Sequence, residues 1–449
     1  MQTQDRSTRL WIYLFPAIMD MVVATIIFVN PLRAAKMGYD YSVLGGLGAV
    51  WGAVAIVANQ AVGRIVRPDN AARVMLVGCG CMIAVCLLFL MTSDIVAMYV
   101  LVSLTGMATA CFFAPFQVFM KAVGTGQRWT VANSASLYTF AWSMGFAAGP
   151  LIAGGLMELD DPFGGVEAGG GWRYCYLFSA ACVALTAIGI LRVRDRVGAG
   201  AEADDPPPTV STEGADAARP GAEGAGTDGA GEVASPPGTP AAPLAPRAPD
   251  LAWLGWVCSG FGILVASAIQ AVFPGRGEAL GLAESAQGQV LFVLRFAQGM
   301  GALALFRSRT WMYRPGPVLA FAVVGVVGTL LFGLAESRAG FLIGAACYGT
   351  YAGAVFFYFV FHALVHPSRS ARYVATNESV VGFVSVAGPF LAGMLADWRG
   401  FGFPFLISAV ILAMVVLFQA GVHRRHPFPV SPGRTGDAAG CGPDAGTGA

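Results

Sequence analysis

Twelve runs of about 20 predominantly apolar residues recur along the chain, and they restrict its fold more than any other feature. A helix of that length crosses the hydrocarbon core of a bilayer while satisfying its own backbone hydrogen bonds. Only 12% of the residues are charged and 56% are hydrophobic, which is more apolar surface than a water-soluble protein of this size can bury. The pattern therefore predicts an all-α membrane protein with transmembrane helices at about 10–33, 42–63, 74–92, 97–120, 131–157, 174–191, 251–273, 287–306, 316–335, 339–364, 372–396 and 401–422.

A polar segment divides these runs into two groups of six. Residues 197–250 contain no aromatic side chain and few large aliphatic ones, so they cannot bury enough surface to offset the entropy of ordering. We therefore expect an N-terminal six-helix bundle over 1–196, a disordered cytoplasmic linker over 197–250, a C-terminal bundle over 251–426 and a disordered cytoplasmic tail over 427–449.

The basic residues indicate how the chain is oriented in the membrane. If the N-terminus is cytoplasmic, the cytoplasmic ends of the spans and the short loops carry seventeen Arg and Lys residues. The opposite side carries six, namely Arg33, Lys36, Arg173, Arg276, Arg338 and Arg399. Because short cytoplasmic loops are enriched in Lys and Arg, this asymmetry predicts a multi-pass protein of the cell (inner) membrane with both termini in the cytoplasm.

The two halves of the chain resemble one another. Residues 31–64 and 274–307 align without a gap, and GPLIAG from Gly149 aligns with GPFLAG from Gly388. The paired landmarks of the first alignment are Arg33 with Arg276, Gly38 with Gly281, Ser42 with Ser285, and Gly45 with Gly288. Because each copy contains an even number of spans, both copies have the same orientation, and the sequence predicts parallel repeats.

The fifth span carries a Gly- and Pro-rich motif. The segment from Arg128 to Asn133, followed by GFAAGPLIAGG over residues 145–155, resembles the fifth-helix motif of the major facilitator superfamily, which is often found in its antiporters. The resemblance covers all twelve spans and implies secondary transport by alternating access. It implies that the first and fourth helices of each half line a central cavity and that the second and fifth form the seam between halves. Small residues and mid-helix prolines permit close, bent packing there, so the expected gating residues include Gly145, Gly149, Pro150, Gly388 and Pro389.

The loop between the second and third spans resembles the other hallmark motif of this family only loosely. The family's acidic position is occupied by Arg67, and Glu378 lies at the start of the eleventh span. We therefore predict an inter-bundle latch in which Glu378 meets Arg64 and Arg67, with reversed polarity relative to the family. A contact between Glu378 and Arg372 within one bundle is the alternative.

Two ionisable residues lie near the middle of spans, where an unpaired charge costs about 2.5–3.5 kcal/mol. Asp20 lies in the first span, and the hypothesis is that it is the proton-coupling acid; a purely structural hydrogen-bonded carboxyl group is the alternative. Arg295 lies in the eighth span, opposite Gly52 in the repeat. It is expected to bind an anion or to pair with Asp20, and a structural ion pair is again the alternative.

Aromatic residues are concentrated in the fourth, fifth and tenth spans. Aromatic faces suit amphipathic, apolar or cationic ligands, although such residues also serve as lipid-facing or core side chains. Together with Arg295, the predicted substrate-binding residues are Phe112, Phe116, Gln117, Tyr138, Trp142, Tyr348 and Tyr351.

The sequence contains no phosphate-binding loop, HExxH motif, paired-Cys zinc pattern or nucleophile elbow, so we expect neither an enzyme nor a cofactor or metal site. A net charge of +1 gives no indication of a nucleic-acid partner. The favoured interpretation is a monomeric secondary transporter in the bilayer, with a small-molecule substrate and a proton or another ion as its coupling partner. It favours proton-coupled export of an amphipathic compound. The alternatives are uptake of a polar or anionic solute clamped by Arg295, and a membrane sensor that retains a transporter fold.

Overall fold

A computed structural model of the chain describes residues 11–67, 69–123, 131–160, 171–204, 252–307, 315–365 and 370–425. Within these residues the fold is entirely helical, and twelve helices are long and apolar enough to cross a membrane. They are α1 (Leu14–Lys36), α2 (Tyr41–Ile65), α3 (Ala71–Phe89), α4 (Ile95–Val123), α5 (Val131–Met157), α6 (Trp172–Asp204), α7 (Ala252–Ala279), α8 (Glu284–Arg307), α9 (Pro315–Leu334), α10 (Arg338–Val365), α11 (Ser370–Arg399) and α12 (Phe403–Arg425). The predicted all-α, twelve-span fold is confirmed.

Helix α6 is longer than the sequence predicted. The linker was expected to begin at residue 197, but the helix continues to Asp204. The predicted boundary followed the change from apolar to small and acidic residues, whereas Ala and Glu are strong helix formers that extend a helix without an apolar face. The rest of the predicted linker, and the predicted tail from residue 427, lie outside the described residues.

The helices pack as two bundles of six with the same internal arrangement. Helix α1 packs against α5 and α6, while α7 packs against α11 and α12; α4 packs against α2 and α3, as α10 does against α8 and α9. Across the bundles, α5 packs against α8 and α2 packs against α11. This correspondence reproduces the parallel repeat expected from the sequence.

The repeat extends to the turns that follow the first helix of each half. Gly38 and Gly281 have positive φ angles of 81° and 66°. After each glycine, a backbone N–H bonds a carbonyl five residues earlier: Tyr39 N to Ala34 O, and Leu282 N to Gly277 O. This hydrogen bond belongs to the Schellman motif, in which glycine favourably occupies the left-handed position. The same turn therefore directs the chain from α1 into α2 and from α7 into α8.

In each half of the chain, a buried arginine at the end of the first helix donates hydrogen bonds to carbonyl groups at the end of the third helix. Arg33 donates a hydrogen bond to Thr92 O, just after α3, and lies 3.7 Å above the Trp172 ring. Its repeat counterpart, Arg276, donates to Gly333 O and Ala335 O at 3.0 and 2.9 Å, at the end of α9. Carbonyl groups at a helix C-terminus lack intrahelical partners and carry partial negative charge, so a cation stabilises them.

Candidate functional site

A cavity of about 190 Å³ lies between the two bundles. This is well over ten times the roughly 10–15 Å³ that a single water molecule requires. Its walls come from α1, α2 and α5 in the first bundle and from α7, α8, α10 and α11 in the second. Of the four helices expected to line the cavity, α4 contributes Val102 alone among its described residues. The seam helices therefore form much of the wall as well.

Apolar and aromatic side chains cover most of this wall. Trp142 of α5 contacts Phe356 of α10 edge to face, with 6.0 Å between the ring centroids, so an aromatic pair connects the two bundles at the cavity. Trp51 and Phe146 add further rings to the lining. Surfaces of this kind bind the apolar parts of small ligands, and a few polar groups fix their orientation.

Arg295 supplies the cationic group of the cavity wall. Its guanidinium donates hydrogen bonds to Gln270 Oε1 at 2.7 Å and to Gln298 Oε1 at 2.8 Å. Its Cζ atom lies 4.8 Å from the ring centroid of Phe146, which belongs to the opposite bundle. These contacts hold the charge at the boundary between the two bundles, as expected for a residue that senses their relative position or an anionic ligand.

Asp20 lies in the first bundle, outside the set of residues that line this cavity, and is 8% exposed. The charge of Arg295 acts on its carboxylate electrostatically. Within the described part of the chain, however, no salt bridge joins Asp20 to Arg295 or to any other cation. The predicted direct ion pair is therefore not present in this conformation, and Arg295 bonds two glutamine side chains instead.

Most of the aromatic residues that were predicted to bind substrate lie outside the described lining of the cavity. Phe112 and Phe116 are completely buried in the first bundle, and Phe116 stacks on Tyr138 with 5.7 Å between centroids. Tyr348 and Tyr351 are packed together in the second bundle, with 5.8 Å between their centroids.

The hydroxyl group of Tyr348 donates to Gly262 O, so its polar atom is satisfied internally. Gln117 is exposed and is not among the described residues that line the cavity. Among the described lining residues, Arg295 and Trp142 are the two that belong to the predicted substrate-binding set.

Backbone contacts at glycine close the seam between α5 and α8. A Cβ atom at Gly288 would overlap the carbonyl oxygen of Pro150, and one at Gly154 would overlap that of Glu284. Only glycine permits so close an approach of two helices, because any side chain would push the backbones apart. The close packing of α5 against α8 thus depends on a glycine in each helix, Gly154 and Gly288.

The seam between α2 and α11 is built in the same way. A Cβ atom at Gly45 would overlap the carbonyl oxygen of Pro389, and one at Gly393 would overlap that of Tyr41. Gly45 is the repeat counterpart of Gly288, and Pro389 that of Pro150. The two seams are therefore related by the internal repeat.

The other predicted gating glycines contact their own bundle. A Cβ atom at Gly145 would meet the carbonyl oxygen of Ala17 in α1, and Gly149 would meet that of Met21. Gly388 approaches Leu264 of α7 in the equivalent way. These glycines join α5 to α1 and α11 to α7, so they assemble each bundle, whereas Pro150 and Pro389 lie at the seams.

Three polar contacts close one end of the cavity. We call it the distal end; there α1 turns into α2 over residues 37–40 and α7 turns into α8 over residues 280–283. Asp397, near the end of α11, accepts hydrogen bonds from Tyr41 N at 2.8 Å and Ser42 N at 2.9 Å, at the start of α2. A carboxylate at a helix N-terminus accepts hydrogen bonds from unpaired N–H groups and interacts favourably with the positive end of the helix dipole.

Glu158, which follows α5, makes the equivalent contact with the start of α8. Its Oε1 accepts a hydrogen bond from Ser285 N at 3.0 Å, and the side-chain and backbone hydrogen bonds from Ser285 lower the pKa of Glu158. Lys36 and Glu284 form a salt bridge between the bundles beside it. Glu158 and Asp397 each lie eight residues after the proline of the repeated Gly-Pro motif, so the repeat places one carboxylate at each seam.

The predicted latch at the opposite end falls partly outside the described residues. Arg64 and Arg67 are exposed, while the side chains of Glu378 and Arg372 are not described. Residues 124–130, which include Arg128, are outside the described ranges too. The latch between Glu378 and these arginines stays a prediction.

The family model described as the Major Facilitator Superfamily matches residues 10–366 of this chain. No match to the chain was found among curated proteins.

Solved structures of transporters share the fold. A bacterial homologue of the human lysosomal transporter Spinster, in an inward-facing and occupied conformation, is 14% identical, with a TM-score of 0.64 over 93% of this chain and 97% of that one. The nucleoside transporter NupG is 12% identical, with a TM-score of 0.62 over 93% and 99%. A bacterial metal transporter is 9% identical, with a TM-score of 0.59 over 93% and 98%. The twelve spans, the parallel repeat and the match over most of the chain together show that it belongs to the Major Facilitator Superfamily of membrane transporters.

Proposed function

We propose that the chain is a proton-coupled secondary transporter that exports a small amphipathic compound by alternating access. The observation that carries this proposal is the cavity between the bundles, whose wall is mainly apolar and aromatic but contains the cation Arg295. Such a wall suits a solute with an apolar body and a polar group. The Gly- and Pro-rich motif of α5 favours export, because the resemblance is to a motif often found in antiporters.

Alternating access requires that the two bundles separate at one end while they approach at the other. Here they are in contact at the distal end, through the glycine seams and the carboxylates Glu158 and Asp397. With the orientation predicted from the basic residues, this end faces the cell exterior and the conformation is inward-facing.

Asp20 is the proposed proton carrier. A buried carboxyl group without a salt bridge among the described residues has only a long-range electrostatic partner, Arg295, to offset its charge. Asp20 belongs to the first bundle and Arg295 to the second, so relative movement of the bundles changes the interaction between them. Protonation of Asp20 is thereby linked to the conformational change.

Replacing Asp20 with Asn is expected to abolish accumulation driven by a pH gradient while leaving downhill exchange intact, because the amide keeps the shape but carries no proton. The measurement uses purified protein in proteoliposomes with an imposed pH gradient and a panel of amphipathic compounds. Asp94→Asn, a change at an exposed carboxylate, is the matched control and should transport normally. Full pH-driven accumulation by Asp20→Asn would exclude this role.

Uptake of a polar or anionic solute is the second candidate function, and the position of Arg295 in the cavity wall favours it. The direction of net accumulation in the same proteoliposomes, with the pH gradient imposed in either sense, separates uptake from export. A protein without gradient-driven flux of any compound would instead be the membrane sensor.

A further inference from the structure

Within the part of the chain that the structure describes, three donor groups in the cavity wall are buried without a hydrogen-bond partner. They are Asn30 Nδ2, Trp51 Nε1 and Ser259 Oγ, and all three residues line the cavity. Asn30 and Ser259 are each only 1% exposed. Because a buried unsatisfied polar group is costly, each one in a folded protein requires an explanation, and a ligand that accepts hydrogen bonds is one.

The amide oxygens of the wall already have donors. Asn30 Oδ1 accepts a hydrogen bond of 2.6 Å from the Tyr176 hydroxyl, while Gln270 Oε1 and Gln298 Oε1 both accept from Arg295. These contacts orient the three amides so that their remaining polar atoms are N–H groups. The two bonds from Arg295 use only two of the five N–H groups of a guanidinium.

Acidic groups do not balance these donors. Neither Asp nor Glu occurs among the described residues that line the cavity. Asp20 is the carboxylate whose charge acts on Arg295, but it lies outside the lining and makes no salt bridge with it. Among these described residues, the polar part of the wall thus carries one positive charge and a surplus of donors.

We propose that this cavity selects an organic monoanion, a compound with one carboxylate attached to an apolar body. Arg295 forms an ion pair with the carboxylate of the ligand, and Asn30, Trp51 and Ser259 donate further hydrogen bonds to its oxygens. The aromatic pair of Trp142 and Phe356 covers the apolar body. The inference rests on the proposed function, since it assigns the substrate class of the same cavity, but it holds for either direction of transport.

The test compares three probes with one apolar body: 4-phenylbutyrate, 4-phenylbutyramide and 4-phenylbutylamine. Binding to the purified full chain is measured by intrinsic tryptophan fluorescence, because Trp51 and Trp142 line the cavity. The carboxylate is expected to bind at least about tenfold more tightly than the amide, as for a charge-assisted hydrogen bond, and the amine is expected not to saturate. Tighter binding of the amine, or no saturable binding of the carboxylate, would overturn the proposal.

Arg295→Gln should remove the preference for the carboxylate over the amide, whereas Arg338→Gln, at an exposed arginine outside the cavity, should retain it. If Arg295→Gln does not fold, Ser259→Ala removes a single donor and should weaken the carboxylate about threefold or more. An unchanged preference in Arg295→Gln would contradict the assignment, as would unchanged carboxylate affinity in Ser259→Ala. Carboxylate binding without pH-driven accumulation in proteoliposomes would refute the transport function and leave the substrate class standing.

Discussion

Replacing Glu158 with Gln and Asp397 with Asn in the same chain is expected to shift the protein toward a state with an open distal end. Each carboxylate of one bundle bonds the first backbone N–H groups of a helix in the other. A charge at a helix N-terminus contributes about 0.3–1 kcal/mol at an exposed site. Losing both, about 0.6–2 kcal/mol, changes the ratio of closed to open states about threefold to thirtyfold.

Hydrogen–deuterium exchange in the first turns of α2 and α8 measures this shift. Both segments should exchange faster in the double variant, because their amides lose a partner from the other bundle. Asp94→Asn is the matched control: Asp94 accepts a hydrogen bond of 2.9 Å from Ala97 N, which is the same kind of contact within one bundle. Equal exchange at α2 and α8 in the double variant and in this control would show that the carboxylates do not hold the distal end closed.

The same contact at Glu158 makes closure depend on pH in a defined sense. Hydrogen bonds from Ser285 lower the pKa of Glu158 below its usual value of about 4.3. A lowered pKa in the closed state means that Glu158 stabilises closure above pH 4.3, and that this stabilisation is lost as the pH falls through the lowered pKa. Exchange in the first turn of α8 should therefore rise in that acidic window and should not rise in Glu158→Gln.

Replacing Gly45 and Gly288 with Ala is expected to prevent close approach at both seams. A Cβ atom at either position would overlap a proline carbonyl oxygen of the facing helix, which is backbone and cannot rotate away. Overpacking of this kind costs about 1–3 kcal/mol per site. Because the clash exists only while the bundles are in contact, the double variant should populate the open distal end and keep its thermal stability.

Two single variants separate this effect from a general loss of stability. Gly349→Ala creates the same overlap with the carbonyl oxygen of Leu294, but between α10 and α8 of one bundle, so it should lower Tm without opening the distal end. Gly155→Ala, where a Cβ atom meets nothing within 4 Å, should change neither property. A double seam variant that lowers Tm as Gly349→Ala does, with unchanged exchange at the distal end, would contradict the seam assignment.

The fold was predictable because the bilayer imposes a length on each helix. Every predicted span corresponds to one helix, and the paired landmarks Gly38 and Gly281 occupy the same turn in each half. The end of α6 was less predictable, since Ala and Glu continue a helix beyond the apolar region, as far as Asp204.

The site was predictable where an unusual residue interrupts an apolar span. Arg295 was identified because a charge in the membrane is costly, and it lines the cavity. The aromatic residues of α4 and α10 gave no such signal, because a helix that is apolar on every side does not reveal which face is inward. Phe112 and Tyr348 are completely buried within their own bundles, and their role as substrate-binding residues stays a prediction. Asn30 and Gln270, polar residues within apolar spans, carried the same kind of signal as Arg295 and were missed.

In the proposed transport cycle, two rigid bundles rock about the cavity, so that one end of the cavity closes as the other opens. The most direct test is the distance across the distal end, measured by double electron–electron resonance between spin labels at positions 94 and 336. Asp94 and Glu336 are exposed, lie in the turns after α3 and α9, and belong to different bundles. With the native cysteines replaced, we expect one distance in the unmodified protein and a second, longer one when Gly45 and Gly288 are alanine. A single distance that is the same in both proteins would contradict it.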